Sequence, residues 1–292
     1  PLLPGFLKAG INALFPYETE DKVAAHREST GSTTLFRLHG ESGPTIWEPF
    51  AEGNARRHRV RRHLYKNTAG SAVILEEENI DLALRFRLQW RSGDRYGFVR
   101  TCRLENMCDA PKELEVLDGL QNLLPSDATL ALQTEMSSLL DAYKRSELDL
   151  PSGVGIFSMS ATLTDRAEPS ESLLATVVWQ VGLEAHTHLL SATQISSFLA
   201  GAELRGEEDI CGAAGSYLVQ SRLHLEAGQA RHWHVVADVN KDSAGVADLC
   251  ELVTQRGEEL EDLLEADIAE NMDALVRYVA GTDGLQLSAR RA

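Results

Sequence analysis

From Thr33 to about Asp238 the chain alternates between apolar and polar positions in short runs separated by Gly, Asn, Asp and Pro. The densest passage runs from Arg85 to Pro125. Phe86, Leu88 and Trp90 alternate with Arg85, Arg87, Gln89 and Arg91, the period of two that marks a strand with one buried face. Ser92-Gly93-Asp94 supplies turn chemistry; Tyr96, Phe98, Thr101 and Arg103 continue as a second strand, and Leu114 to Leu120 as a third. Further strands are expected at 33–38, 58–66, 71–77, 80–90, 95–105, 112–120, 154–163, 173–183, 216–228 and 230–239. Strands at this density, without βαβ alternation, predict a mainly β fold: two antiparallel sheets packed as a large sandwich.

Helical spacing is rarer. Met136, Leu139, Leu140 and Tyr143 predict a helix over 132–148, with a strand as the alternative, and 195–201 fits a short helical turn. The period then switches. From Ala244 to Ala280 apolar residues recur near every 3.6 positions, among them Val246, Leu249, Leu252, Leu260, Leu264, Ile268 and Met272. Asp242-Ser243 offers an N-cap, Gly281 a C-cap, and Gly257 a division into two helices. The apolar stripe is expected to dock on a surface: the sandwich itself, a further domain or a second copy of the chain. The acidic run Glu258, Glu259, Glu261, Asp262 and Glu265 reads as a solvated face. The organisation expected is an N-terminal extension (1–32), a β-sandwich domain (33–240) and a helical linker (241–292).

Length and charge narrow the function classes. A chain of 292 residues can bury one large sandwich core. Its net charge of −16 argues against nonspecific binding to nucleic acid or an anionic membrane, both of which need a basic surface. No run of apolar residues is long enough to span a bilayer, and PLLPGFLKAGINALFP lacks the basic start of a signal peptide, so a cytoplasmic location is expected. Cys102, Cys108, Cys211 and Cys250 form no CxxC pair and are expected as reduced thiols, without a zinc site. The chain begins at Pro1 and stops at SARRA, and both ends are expected to be cuts in a longer polypeptide.

Candidate chemistry is sparse. No GxGxxG, GxxxxGK[ST], HExxH or GxSxG occurs. Glu115 and Asp118 lie three apart, on opposite faces of a strand, and read as turn and rim residues. His232 and His234 flank Trp233, so both imidazoles share one face; two such histidines can hold a metal, but the only further ligand nearby in sequence is Asp238. They read as the polar side of an edge strand, and no metal or cofactor is expected. His186 and His188 repeat the spacing. The basic island Arg56, Arg57, Arg59, Arg61 and Arg62 is expected to pair with Glu76 to Glu78. Trp47, in the Gly/Pro-rich loop GPTIWEPF, is the best sugar-stacking candidate, because an aromatic face fits the C–H face of a pyranose; burial in the core is its alternative. Trp233, His232 and His234 are further carbohydrate-contact candidates.

The segments RYGFVRTCRLEN (95–106), EVLDGLQNLLP (115–125), SYLVQSRLHLEAGQARHWHVVADV (216–239) and ENMDALVRYVAGTDGLQLSA (270–289), in this order, resemble the N-terminal β-supersandwich of cellobiose-phosphorylase-like proteins, similar to glycoside hydrolase family 94. The resemblance implies a galactose-mutarotase-like sandwich leading through a helical linker to an (α/α)6 barrel. In that family the barrel carries the acid carboxylate and most of the sugar and phosphate site, so no catalytic residue transfers to this chain. It implies a noncatalytic sandwich domain of a glycoside phosphorylase or hydrolase. Its partners would be its own downstream barrel, an oligosaccharide near the substrate entrance and a second copy in a dimer. Two other readings stay open: a stand-alone mutarotase-like epimerase drawing on His188, His224, His232 and Glu226, and a binding or scaffold module.

Overall fold

Two antiparallel sheets form the sandwich that the alternation predicts. The computed structural model describes residues 13–19, 22, 25–40, 43–67, 70–161, 171–257 and 259–281. The strands are β1 (Gly31–Gly40), β2 (Gly43–Trp47), β3 (Val60–Lys66), β4 (Val73–Asn79), β5 (Leu84–Gly93), β6 (Gly97–Asn106), β7 (Lys112–Leu123), β8 (Lys144–Asp149), β9 (Val154–Met159), β10 (Ala175–Val181), β11 (Thr187–Leu189), β12 (Asp209–Cys211), β13 (Gly215–Leu225) and β14 (Ala230–Lys241). The larger sheet has the order β12-β8-β9-β10-β14-β6-β5-β4-β3 and the smaller one β11-β13-β7-β1-β2.

Parity along each strand decides what meets between the sheets. Phe86, Leu88 and Trp90 of β5, Cys102 and Leu104 of β6, and Trp233, Val235 and Ala237 of β14 face inward; they meet Leu114, Val116 and Leu120 of β7 and Tyr217, Val219, Leu223 and Leu225 of β13. Leu14 and Phe15, from the segment preceding β1, are buried in the same core. An ion pair crosses it. Arg100 of β6 and Asp118 of β7 form a fully buried ion pair; Arg100 Nη1 donates to Gly119 O (2.6 Å), while Thr34 Oγ1 (2.6 Å) and Trp233 Nε1 (2.7 Å) donate to Asp118. The carboxylate is thus saturated with donors, the condition under which buried charge is tolerated. All four cysteines are free.

Several segments differ from the sequence expectations. The stretch 132–148 is not one helix. It folds as α2 (Leu130–Glu135) and α3 (Ser137–Tyr143), broken at Met136, and then becomes β8, because Lys144 to Asp149 find hydrogen-bond partners on β9 and β12. GPTIW in the expected loop is the edge strand β2, paired with β1; Pro44 fits there because an edge strand can omit a donor. The three-residue strands β11 and β12 are too short to show a period. A short helix at Asn54–Arg57 (α1) precedes β3, and Ile195–Leu199 (α4) is the expected helical turn.

The C-terminal stripe forms two helices, α5 (Ser243–Gln255) and α6 (Leu260–Gly281), with Asp242 as N-cap of α5 accepting from Gly245 N at 2.8 Å. Both pack on the outer face of the large sheet. Val253, Leu260, Leu264 and Ile268 are buried against Tyr96, Val99, Val177, Trp179 and Val236. Of the three surfaces considered, the sandwich itself covers the stripe. Polar contacts fix the register of α6: Asp267 accepts from the N–H groups of Arg95 (3.1 Å) and Tyr96 (3.2 Å), and Asn271 Nδ2 donates to Ser92 O (2.8 Å). Among the described residues no helix is long and apolar enough to cross a membrane.

Candidate functional site on the large sheet

The outer face of the large sheet is divided. Its β9–β10 side is apolar and lies under α5; its β3–β6 side is polar, and α6 runs along its border and packs on β5. The same parity that sends Phe86, Leu88 and Trp90 inward sends Arg85, Arg87, Gln89 and Arg91 outward. Strand pairing then aligns outward residues into rows across the sheet. One row is His63, Glu76, Arg87, Arg103 and His232; the next is Tyr65, Ile74, Gln89, Thr101 and His234; a third is Arg61, Glu78, Arg85 and Glu105.

The charges in this grid are paired. Arg87 binds Glu76, which also accepts from Tyr65 Oη at 3.2 Å. Arg85 bridges Glu78 (2.6 Å) and Glu105 (3.3 Å), and Arg103 also reaches Glu105 at 3.3 Å. Arg91 binds Glu265 of α6, with Nη1–Oε2 at 2.7 Å, and donates to Thr101 Oγ1 at 3.0 Å. Burial pushes the Glu76 carboxyl up, but the Arg87 hydrogen bond and charge outweigh it and hold it below its ordinary value. The hydrogen bond and charge of Arg91 lower Glu265 against a burial penalty.

Helix α6 forms the wall of a cavity of about 460 Å³ over these rows. His232 and His234 line it from β14, Arg87, Gln89 and Arg91 from β5, Thr101 and Arg103 from β6, and Glu261 and Glu265 from α6. His232 Nε2 lies 3.2 Å from Glu261 Oε2. His234 is buried, which lowers its pKa, and its Nδ1 is 3.0 Å from Thr101 Oγ1. Its ring centroid is 6.1 Å from that of His232. A larger groove of about 820 Å³ runs between residues 16–19, 22, 26 and 29 and the α2–α3 pair, but His26 there is bound to Glu18 and Lys144 to Asp141, each at 2.7 Å.

The sequence candidates are thus split. His232 and His234 reach the polar face together, not on an edge strand: β14 is central, between β10 and β6. Trp47 and Trp233 do not. Trp47 is fully buried beside Phe36 (centroids 5.3 Å apart), and its Nε1 donates to Glu77 at 2.8 Å. Glu77, also fully buried, takes further bonds from Phe50 N, Asn54 Nδ2 and Arg62 Nε, which is why the loop after β2 folds inward. Trp233 is inward by parity, donating to Asp118. Neither ring face is open for sugar stacking. The exposed aromatic of the grid is Tyr65, beside His63 with centroids 6.1 Å apart. The basic island pairs with the glutamates only in part: Arg61 stands opposite Glu78 and Arg62 opposite Glu77, whereas Arg59 binds Asp81 and Arg56 and Arg57 lie on α1.

Asp238 is not the partner of the two histidines; it pairs with Lys241 at 2.7 Å, and the carboxylate beside His232 is Glu261, from the helical segment. Glu115, read as a rim residue, is bound to Arg37 on the outer face of the small sheet, and Arg37 also donates to Phe198 O at 2.9 Å. His188 is half-buried beside Tyr217, and His224 is exposed between Glu113 and Glu226, so His188, His224 and His232 do not converge.

No family model matches the chain and no curated protein matches it. Among solved structures it is similar to a polysaccharide lyase (9% identity, TM-score 0.45, covering 81% of this chain and 30% of that one). It is also similar to a protein described as a kojibiose phosphorylase from human microbiome (10% identity, TM-score 0.46, 92% and 38%). A third is a GalM/aldose epimerase homologue from C. elegans (10% identity, TM-score 0.38, 80% and 88%). The chain spans about a third of the length of the lyase and the phosphorylase. The sandwich assignment stands on the strand pairing itself.

Proposed function

We propose that this chain is the noncatalytic β-sandwich domain of a larger carbohydrate-active enzyme of glycoside phosphorylase or hydrolase type, and that its polar sheet face lines the approach of an oligosaccharide. One observation carries the reading. The grid of Arg87, Arg103, Gln89 and His232, faced by Glu261 and Glu265 of α6, opens into a cavity of about 460 Å³, within the range that holds one or two sugar rings. Sugar hydroxyls both donate and accept. A surface that alternates guanidinium donors with carboxylate and amide acceptors matches them without a net field, and Tyr65 adds a ring for C–H stacking. The sandwich would pack on its own catalytic barrel, as the cellobiose-phosphorylase resemblance implies, with a homodimer as a further association.

The test is calorimetric and NMR titration with cellobiose, kojibiose and longer gluco-oligosaccharides, in chelator. Millimolar binding is expected, abolished in an Arg87→Ala/Gln89→Ala variant and unaffected by Leu139→Ala. Absence of binding to every oligosaccharide at tens of millimolar would overturn the reading. The epimerase alternative is favoured by a separate observation, the His232–Glu261 pair at 3.2 Å, an imidazole and a carboxylate at the mouth of one cavity. Polarimetry separates the two: the proposal expects no acceleration of galactose or glucose mutarotation, whereas acceleration lost in Glu261→Gln would establish the alternative.

A further inference from the structure

We propose that His232, His234 and Glu261 form a binding site for a divalent transition-metal ion of the zinc class, and that the ion ties α6 to the large sheet. One ligand atom from each residue lies within 4.8 Å of the other two. His232 Nε2 and Glu261 Oε2 are already 3.2 Å apart. Two ligands bound at 2.0–2.1 Å in a tetrahedron stand about 3.3 Å from each other, so this pair spans one edge of such a site. The third side chain closes by a small rotation of exposed His232 and half-buried Glu261.

The site is positioned without the ion. Residues i and i+2 of a strand share a face, and β14 is held by β10 and β6, so the two imidazoles project side by side. Glu261 arrives on α6, whose placement is set independently by buried Leu264 and Ile268, by Asp267 on the Arg95 and Tyr96 amides, and by the Arg91–Glu265 pair. The His234 ring is oriented by Thr101 Oγ1 at 3.0 Å. When that nitrogen donates to Thr101, the other carries a lone pair, the arrangement by which ligating histidines are held. Charge does not oppose binding. The nearby guanidinium groups of Arg87, Arg91 and Arg103 are each bound to a carboxylate, Glu76, Glu265 and Glu105, the last shared with Arg85, which also binds Glu78. Two neutral imidazoles and one carboxylate leave a single net positive charge on a bound dication, beside Asp262.

An all N/O donor set with two histidines suits Zn²⁺ or Co²⁺ and disfavours Ca²⁺ and Mg²⁺, which prefer oxygen. Three protein ligands leave a fourth position facing the cavity, open to water or to a hydroxyl of a bound molecule. This proposal does not depend on the sugar reading: metal uptake is measured without sugar, and the sugar titrations are run in chelator, so each can fail alone.

The experiment is equilibrium dialysis and calorimetry of the chelator-stripped protein with ZnCl₂, with CoCl₂ as spectroscopic probe. One equivalent of zinc is expected to bind. His232→Ala and Glu261→Gln are each expected to weaken binding at least about 100-fold, and Thr101→Val about 10-fold. His232 and Glu261 are not core residues, so melting in chelator should match the parent and exclude misfolding as the cause. Cobalt should give visible bands of a nitrogen–oxygen site without thiolate charge transfer, which excludes Cys108, Cys211 and Cys250. Zinc should also slow amide exchange in the first two turns of α6 in the parent but not in Glu261→Gln. No stoichiometric uptake, uptake unchanged by both variants, or a thiolate signature would overturn the proposal.

Discussion

At the scale of single residues, the positions that matter most are buried groups with no alternative partner. Asp118 compensates Arg100 in the dry space between the sheets and takes two further hydrogen bonds. Asp118→Ala would strand a fully buried guanidinium. A loss of about 3–5 kcal/mol in urea or guanidinium unfolding is expected, whereas loss of the solvated surface pair Arg256–Glu259 should leave the curve close to the parent's. Gly119 is the other sensitive position of β7: a Cβ there would stand 1.8 Å from Tyr217 O. Gly119→Ala must push β13 away from β7, and a destabilisation of about 3 kcal/mol or more is expected in the same assay. Equivalent replacement of Gly53, whose Cβ would meet nothing within 4 Å, should be nearly neutral.

At the scale of elements, α6 works as a divider. Residues four apart share a face, so Leu264 and Ile268 point at the apolar half of the sheet while Glu261 and Glu265 point at the polar half. The helix therefore both covers a core and walls a cavity. Leu264→Ala removes a fully buried side chain, and a loss of about 2–5 kcal/mol is expected from unfolding curves. Asp267→Ala should act differently. It removes the acceptor for two backbone amides of the β5–β6 turn, so faster hydrogen exchange at Arg95 and Tyr96 is the expected readout, with α5 unaffected. Deleting 243–281 would bare Val177, Trp179 and Val236, and self-association by light scattering is expected.

At the scale of the whole molecule, the sheets are unequal, nine strands against five, so the large sheet overhangs the small one at β3. Leu64, inward by parity, is 68% exposed there. Arg61, Arg62 and Lys66 on the same edge strand discourage edge-to-edge pairing. Stability should vary with pH in two separate windows. Burial depresses the pKa of His188 below its ordinary 6.5. Below that value the unfolded chain takes up a proton that the native chain refuses, so stability falls as the pH drops through about 6.5. The fall ends once the native imidazole also protonates; buried His234 is shifted the same way, so His188→Gln should reduce the step and leave the part due to His234. Glu115 behaves oppositely in origin: burial raises its pKa, but Arg37 outweighs this and holds it below 4.5. Its contribution is present above 4.5 and is lost as the pH falls through the depressed native value. Denaturant midpoints from pH 8 to 3, in chelator, would resolve both steps.

Alternation alone was enough to determine the fold class and most strands, because parity is a local property that any buried strand must obey. It placed Arg85, Arg87, Gln89 and Arg91 on one face of their strand and His232 with His234 on one face of theirs. The 3.6-residue stripe likewise specified two helices and a covered surface. Strand order, register and the helix's landing place were not local. Nothing near Trp47 in the sequence announces Glu77, 30 positions away, as the acceptor that draws it inward. Nothing near His232 announces Glu261, which arrives 29 positions later on a different element. Such pairs are made by packing and by hydrogen bonds between strands, so the tertiary structure alone decided which polar groups became core, and which met in a cavity.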